Sequence, residues 1–449
     1  MKHVPAPYAS SESLSRFAVD SIWIAIPLVV ALVAFVLALL PYPLPPAQSD
    51  AMGYSMTALR IIQDHVYMFG AEPPGTPVSP NAIVTPGYPL FLAAFYLLVP
   101  GAAADPTAAI SRTQPYIVFV QLLMALVIVW CIGMIGKSLG GKRLGTLSGL
   151  AAAIYLPFGW AASVALAEQV GTALFSLLLL MAINFSRKSA NVSPVRMLLF
   201  GVLAGVMTMM RPALVLWPVV PITFIFLRRL VTFRQMAIIV ASAGLGLLLV
   251  LAPWWVRNVP VTGHFKLLRS GAAVLPPIAP RAKPSVLGPS VPVPGFPVQL
   301  TREVQTQACA GRTMPEVTRI AVLNPWVPPL ATIWEDVYSP NSNRVGFAQP
   351  ATYSPEKLIP AVAFVRAYQW LLIVLAVVAL FFVRRSPRLL ILASVPVYTI
   401  WIHYSIQVNM RYFYPATPAL VALASAGAYG VWGIAMAAYS KQRSTSLEH

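Results

Sequence analysis

Residues 42–65 read YPLPPAQSDAMGYSMTALRIIQDH and residues 85–99 read TPGYPLFLAAFYLLV; whether the second run crosses a membrane decides the fold. Just upstream, Ser21 to Leu40 is an apolar stretch of membrane-spanning length, for which roughly 18 residues or more suffice. Asp50 follows it closely, and Ala51 to Gln63 carries a short helical pattern. Pro89 to Val99 is about eleven residues, short of the roughly twenty that a span needs. Pro86, Pro89 and Pro100 bracket it. The run therefore reads as an interfacial or re-entrant helix that stays on the face where Asp50 lies.

The basic residues give the same answer. Lys137, Lys142 and Arg143 form one short basic loop, and Arg187, Lys188 and Arg196 a second. Arg228, Arg229 and Arg234 form a third, Arg384, Arg385 and Arg388 a fourth, and Lys441 and Arg443 close the series. Short loops rich in Lys and Arg stay cytoplasmic, and all five share one side only if 89–99 does not cross. The predicted spans are 21–41, 115–136, 144–162, 164–185, 195–210, 212–227, 235–252, 362–383, 389–406 and 413–438. A crossing at 88–100 would make about eleven instead of ten and turn several basic loops outward.

The whole composition fits. Of 449 residues, 58% are hydrophobic and 10% charged, with mean hydropathy +0.73. The expected fold class is an all-α polytopic membrane protein of about ten to eleven transmembrane helices, with outer-face interfacial helices and a long outer loop. The net charge of +18 is spent on topology rather than on nucleic acid. The first apolar run is too long for a signal-peptide core and reads as a retained helix. Cys131 and Cys309 are too few and too far apart to suggest a disulfide or metal framework. Three units follow: 1–252 with outer loop 42–114, the proline-rich outer segment 253–361 carrying WEDVYSP near 334–340, and 362–446. Residues 447–449 read as a tag remnant.

On this topology the membrane domain's ionisable groups gather on one face. Between Pro106 and Arg302 the single acid is Glu168, in the first turn of the span 164–185, level with Asp50. Arg211 in MMRPAL falls at an outer hairpin, Arg257 in APWWVRN at the outer end of 235–252, and His403 and Arg411 in HYSIQVNMRYFYP at the last outer hairpin. A carboxylate near hydrocarbon usually has a partner or a task. Asp50 also suits a helix N-cap, and Asp64 and Glu72 read as solvated loop acids. Arg257 and Arg411 lie beside Trp254, Trp255, Tyr412 and Tyr414, which fits interface anchoring as well as phosphate binding. His403 alone reads as packed or interfacial.

Five motifs resemble the bacterial dolichyl-phosphate-mannose-protein mannosyltransferase and aminoarabinose transferase-like family of GT-C glycosyltransferases. They are Asp50 with Tyr54 and Ala58 (DxxxYxxxA), TPGYPLFLA at 85–93, AEQVGTAL at 167–174, PWWVRNVPVTGHF at 253–265 and RYFYPATPAL at 411–420. They span roughly 20–270 and 360–440. The chain departs from the family pattern at Ala51, where many relatives have a second acid, and at Val84-Thr85, where many have Lys or Arg.

The resemblance implies an inverting transfer of a sugar from a polyprenyl-phosphate donor to a hydroxyl of a cell-envelope glycan, lipid or protein, lipopolysaccharide among them. The reaction would run on the outer face of a bacterial inner membrane, with membrane lipids around it. It implies Asp50 as base and Glu168 as its helper. Arg257, Arg411 and Arg211 would meet the donor phosphate, and Tyr54, Tyr88, Tyr412 and His403 the substrates. No cofactor is certain, though a divalent cation such as Mg or Mn at Asp50 and Glu168 is compatible. No ATP loop, nucleotide-sugar DxD or zinc spacing occurs. The rival reading is a secondary transporter or lipid flippase, which would need charged groups at the span centres.

Overall fold

A computed structural model describes residues 11–40, 49–70, 75, 77–186, 192–263, 265, 322, 355–382, 386–406 and 410–447. These residues build helices and short 3-10 turns: α1 (Ser11–Leu39), α2 (Ser49–Gln63), α3 (Gly87–Leu98), α4 (Pro106–Ala153), α5 (Pro157–Trp160), α6 (Ala167–Phe185) and α7 (Pro194–Met210). There follow α8 (Val219–Leu227), α9 (Phe233–Thr262), α10 (Pro355–Leu380), α11 (Leu389–Ile406), α12 (Met410–Phe413) and α13 (Thr417–Leu447). Six helices among the described residues are long and apolar enough to cross a membrane, and three shorter apolar stretches, 194–210, 212–227 and 389–402, complete the bundle. It is a multi-pass membrane protein.

Glycines record how the helices run. α4 is two limbs, not one rod: Gly140 and Gly141 leave helical backbone, Gly141 at φ 82°, a conformation that favours glycine. The limbs fold back on each other, since a Cβ on Gly136 would lie 2.7 Å from the Leu144 carbonyl oxygen. α1 runs beside the second limb in the same direction, with Trp23 against Gly145, Pro27 against Gly149 and Phe35 against Gly159. α7 and α9 are likewise parallel. A Cβ on Gly201 would meet the Ala243 oxygen at 2.0 Å, and one on Gly246 the Leu198 oxygen at 2.2 Å. Such small-residue seams let helix backbones approach where lipid offers no hydrophobic drive between helices.

Where they are described, the first, second and fourth basic loops of the sequence reading meet at one end of the bundle. Lys137 stacks on the Trp23 ring at 4.9 Å, Ser138 donates to Asn184 at 3.2 Å, and Arg388 donates to the Ser138 carbonyl at 2.8 Å. Asp50 and α3 occupy the other end. α3 has 12 residues, about 18 Å at 1.5 Å per residue. Its first residue lies against the Met209 backbone where α7 ends, and beyond its last turn the Ala103 carbonyl accepts from Gln63 of α2. Both flanks of α3 thus stay at one end. It lies along the bundle without crossing, Leu90, Leu97 and Leu98 turned outward.

Two spans end elsewhere than the sequence reading placed them. The span expected at 144–162 stops at Ala153, and Pro157 opens a separate short turn. The span expected at 235–252 continues through Pro253 and Pro260 to Thr262, so residues 253–262 belong to α9 rather than to the long outer segment. Proline interrupts helices in water, but neighbouring helices can satisfy the freed groups in a bundle. WEDVYSP, Glu72 and Cys309 lie outside the described residues; Cys131 is buried and reduced.

Candidate active site

Four charged side chains from four parts of the chain meet at the Asp50 end. Asp50 stands in the first turn of α2 and Glu168 in the first turn of α6, positions where a helix dipole favours an acid. Arg211 caps α7 immediately before Pro212, where a helix is made to stop. Its side chain then crosses α6 at Gly171: a Cβ there would lie 2.5 Å from Arg211 Cγ. Arg411 sits in α12, a single turn ahead of the 3-10 segment at Tyr414.

The four form one ion chain. Arg211 Nη1 donates to Glu168 Oε1 at 2.6 Å, the same oxygen faces Arg411 Nε at 3.6 Å, and Arg411 Nη2 reaches Asp50. The Tyr412 ring lies beside both guanidiniums, its centroid 5.4 Å from Arg211 and 5.2 Å from Arg411. Exposure is greatest at the Asp50 end: the Asp50 side chain is 39% exposed and Arg411 19%, against 3% for Glu168 and 11% for Arg211. Only Asp50 offers a substantial face to an incoming molecule. Tyr54 lies one turn along α2 from Asp50. Burial, with Glu168 and Asp50 adding to it, raises its phenol above the ordinary tyrosine range despite Arg411 and Arg211. Tyr54 therefore stays protonated, a hydrogen-bonding group and not a base.

A buried polar lattice holds this chain from below. Between Ala153 and Ala167 the backbone is broken inside the bundle, where unpaired carbonyls are costly. Two glutamines satisfy them. Gln121 donates to the carbonyls of Ala162 and Val164 at 2.9 Å each, and Gln169 to those of Gln121 and Phe158 at 3.1 and 3.3 Å. Tyr414 then donates to Gln169 at 2.6 Å, and Tyr88 to Gln121 at 3.3 Å. Gln169 adjoins Glu168, and Tyr414 follows Arg411 by less than a turn, so the lattice fixes both ends of the Glu168–Arg411 contact. Gln169→Leu is expected to destabilise the protein by about 1–3 kcal/mol for each buried group left unpaired, read as a lower thermal midpoint of the purified protein in detergent.

The structure brings together Asp50, Glu168, Arg211, Arg411, Tyr412 and Tyr54. Tyr88 and Arg257 have other partners, and the side chain of His403 lies outside the described residues. Tyr88 is buried with its hydroxyl on Gln121, so in this structure it belongs to the lattice. Arg257 stands apart from the ion chain, donating to the carbonyls of Tyr67 and Asn81. His403 falls within α11. A divalent cation between Asp50 and Glu168 does not fit this arrangement either. The Arg411 guanidinium lies between the two carboxylates and already balances them, together with Arg211. Among the described residues no three His, Cys, Asp or Glu side chains converge.

No protein-family model matches the chain, and no curated protein matches it. Solved structures do. The Archaeoglobus fulgidus oligosaccharyltransferase in complex with Zn and sulfate superposes with TM-score 0.50 at 11% identity, over 89% of this chain and 48% of that one. The chain has the GT-C fold. ArnT from Cupriavidus metallidurans in the apo state aligns at 14% identity and TM-score 0.42, over 91% of this chain and 77% of that one. The same ArnT bound to undecaprenyl phosphate aligns at TM-score 0.43, with the same identity and coverage. At such identities the likeness is one of fold, and the chain spans about half the length of the archaeal protein. Within this GT-C bundle, sequence reasoning missed the Gln121–Gln169 lattice. Its available signal was two amides inside apolar helical runs, next to a proline that breaks the neighbouring span.

Proposed function

We propose that the protein is an inverting glycosyltransferase that uses a polyprenyl-phosphate sugar as donor and a hydroxyl of a cell-envelope glycan, lipid or protein as acceptor. The observation that carries this reading is the ion chain: an accessible carboxylate, Asp50, paired to a guanidinium that a buried carboxylate holds from behind. That is the equipment the reaction needs. The acceptor oxygen attacks the anomeric carbon, the bond from that carbon to the phosphate oxygen breaks, and Asp50 takes the acceptor proton. The departing phosphate carries off the bonding electrons and is stabilised by Arg411, whose planar donors suit phosphate. Glu168 and Arg211 keep Arg411 aimed, and single displacement inverts the anomeric centre. Guanidinium charge does the work that a metal would otherwise do at the leaving group, so EDTA is expected to leave turnover unchanged. The site would open to the outer face of a bacterial inner membrane.

The test is a transfer assay. Purified protein in nanodiscs is given radiolabelled polyprenyl-phosphate sugars and an envelope extract, and label leaving the carrier is counted. Consumption of carrier-bound sugar supports the reading. Movement of intact labelled lipid or solute across proteoliposomes, with no carrier consumed, would replace it with transport.

A further inference from the structure

Arg257 is a heavily used cation outside the ion chain, and its partners divide between α9 and one strap. Its Nη1 donates to the Asn81 carbonyl at 2.6 Å and to Asn258 at 3.0 Å, and its Nη2 donates to the Tyr67 carbonyl at 2.7 Å. The rings of Tyr67 and Trp254 hold the guanidinium at 5.1 and 5.0 Å. The strap runs from the end of α2 to the start of α3. It turns at His65, whose φ of 54° lies in the left-handed region. Asn81 closes it by both donating to and accepting from the Phe69 backbone at 3.1 Å. Phe69 then sets its ring edge on Tyr54 at 5.4 Å and fills the space that Gly53 leaves. A continuous path therefore runs from α9 through the strap to the helix that carries Asp50.

We propose that Arg257 is a positioning residue: it clamps strap residues 64–70 and 77–86 onto α9 and so fixes Tyr54 and the first turns of α2, without touching the donor phosphate. The inference rests on the reading of Asp50 as base for its kinetic arm, and on geometry alone for its structural arm. The chemistry divides the two roles of an arginine cleanly. Lysine can still meet a phosphate as a point cation, although without the paired donors of a guanidinium. The clamp needs two carbonyls bridged by one planar fork set against a pair of touching rings, which lysine cannot supply.

The experiment compares wild type, Arg257→Lys, Arg257→Ala and the milder Tyr67→Phe, which removes only the bond from the Tyr67 hydroxyl to the Val84 carbonyl. Chymotrypsin cleavage after Tyr67 and Phe69 is followed by mass spectrometry in detergent, and kcat and KM for the donor lipid are measured. The clamp predicts that Lys behaves like Ala: cleavage at least about tenfold faster, kcat down about 10- to 100-fold, as misplacement of catalytic groups costs, and donor KM nearly unchanged. Tyr67→Phe is expected to speed cleavage by a smaller factor, and it carries the structural arm if either arginine variant does not fold. A lysine variant with wild-type protection overturns the proposal, and so does a raised donor KM with kcat and protection held. If wild type transfers no sugar, the reading of Asp50 fails, while the cleavage rates still decide the clamp.

Discussion

Asp50→Asn is expected to lower sugar transfer by roughly 10²–10⁴-fold, the usual worth of a general base, with nearly wild-type protein recovered from the membrane. The two halves of that expectation come from one geometry. Asparagine keeps the volume and an oxygen that accepts from Arg411, so the α2–α12 contact survives. The lost ion pair contributes at most about 1 kcal/mol, because the Asp50 side chain is 39% exposed. What vanishes is the ability to take a proton from the acceptor hydroxyl. The deficit should therefore fall on kcat, with donor KM little changed, since an interaction made only as the proton moves does not contribute to ground-state binding. Asp50→Glu, which keeps the base and shifts it by one methylene, should recover part of the rate. Equal transfer by wild type and the asparagine variant would move the base elsewhere and leave Asp50 as a cap for α2.

Much of this arrangement could be read from the chain itself. The basic loops fixed which helix ends lie together, and once Pro89–Val99 was too short to cross, Asp50, Glu168, Arg211 and Arg411 had to share an end. Which of them touch could not be read: Asp50 and Arg411 are 361 positions apart, and no periodicity links an interfacial helix to a hairpin so far downstream. The setting of Arg257 was hidden for a local reason. Pro253 looked like the end of a span, which puts Arg257 in a loop facing headgroups. α9 instead continues to Thr262, and the arginine rides on a helix, against the strap. The lattice was hidden for the opposite reason. Gln121 and Gln169 have partners only because the chain breaks between Ala153 and Ala167, and a break inside a long apolar run is visible as a demand for donors only in three dimensions. Tyr88 follows from that, since its hydroxyl is spoken for by Gln121.

The largest loss of stability is expected from Glu168→Leu. Glu168 is 3% exposed and one of its oxygens faces two guanidiniums. Removing it strands Arg211 and Arg411 as like charges in a nearly dry site, a change worth about 3–5 kcal/mol. The variant should unfold at a markedly lower temperature and accumulate poorly. The origin of that loss can be tested by removing a stranded charge as well. Glu168→Leu with Arg211→Leu leaves only Arg411, which still has Asp50, and should regain a large part of the stability; groups in direct contact commonly couple by about 0.5–3 kcal/mol in such a cycle. Transfer should not return with it, because Arg411 then lacks the Glu168 carboxylate that aims its guanidinium toward the substrate. That split separates two roles that the fold assigns to one carboxylate. Stability depends on Glu168 only as a countercharge, which a double substitution can dispense with, whereas turnover depends on where Glu168 puts Arg411. If the single variant unfolds at the wild-type temperature, the ion chain is not what holds α6, α7 and α12 together, and the Gln121–Gln169 lattice alone must carry that end of the bundle.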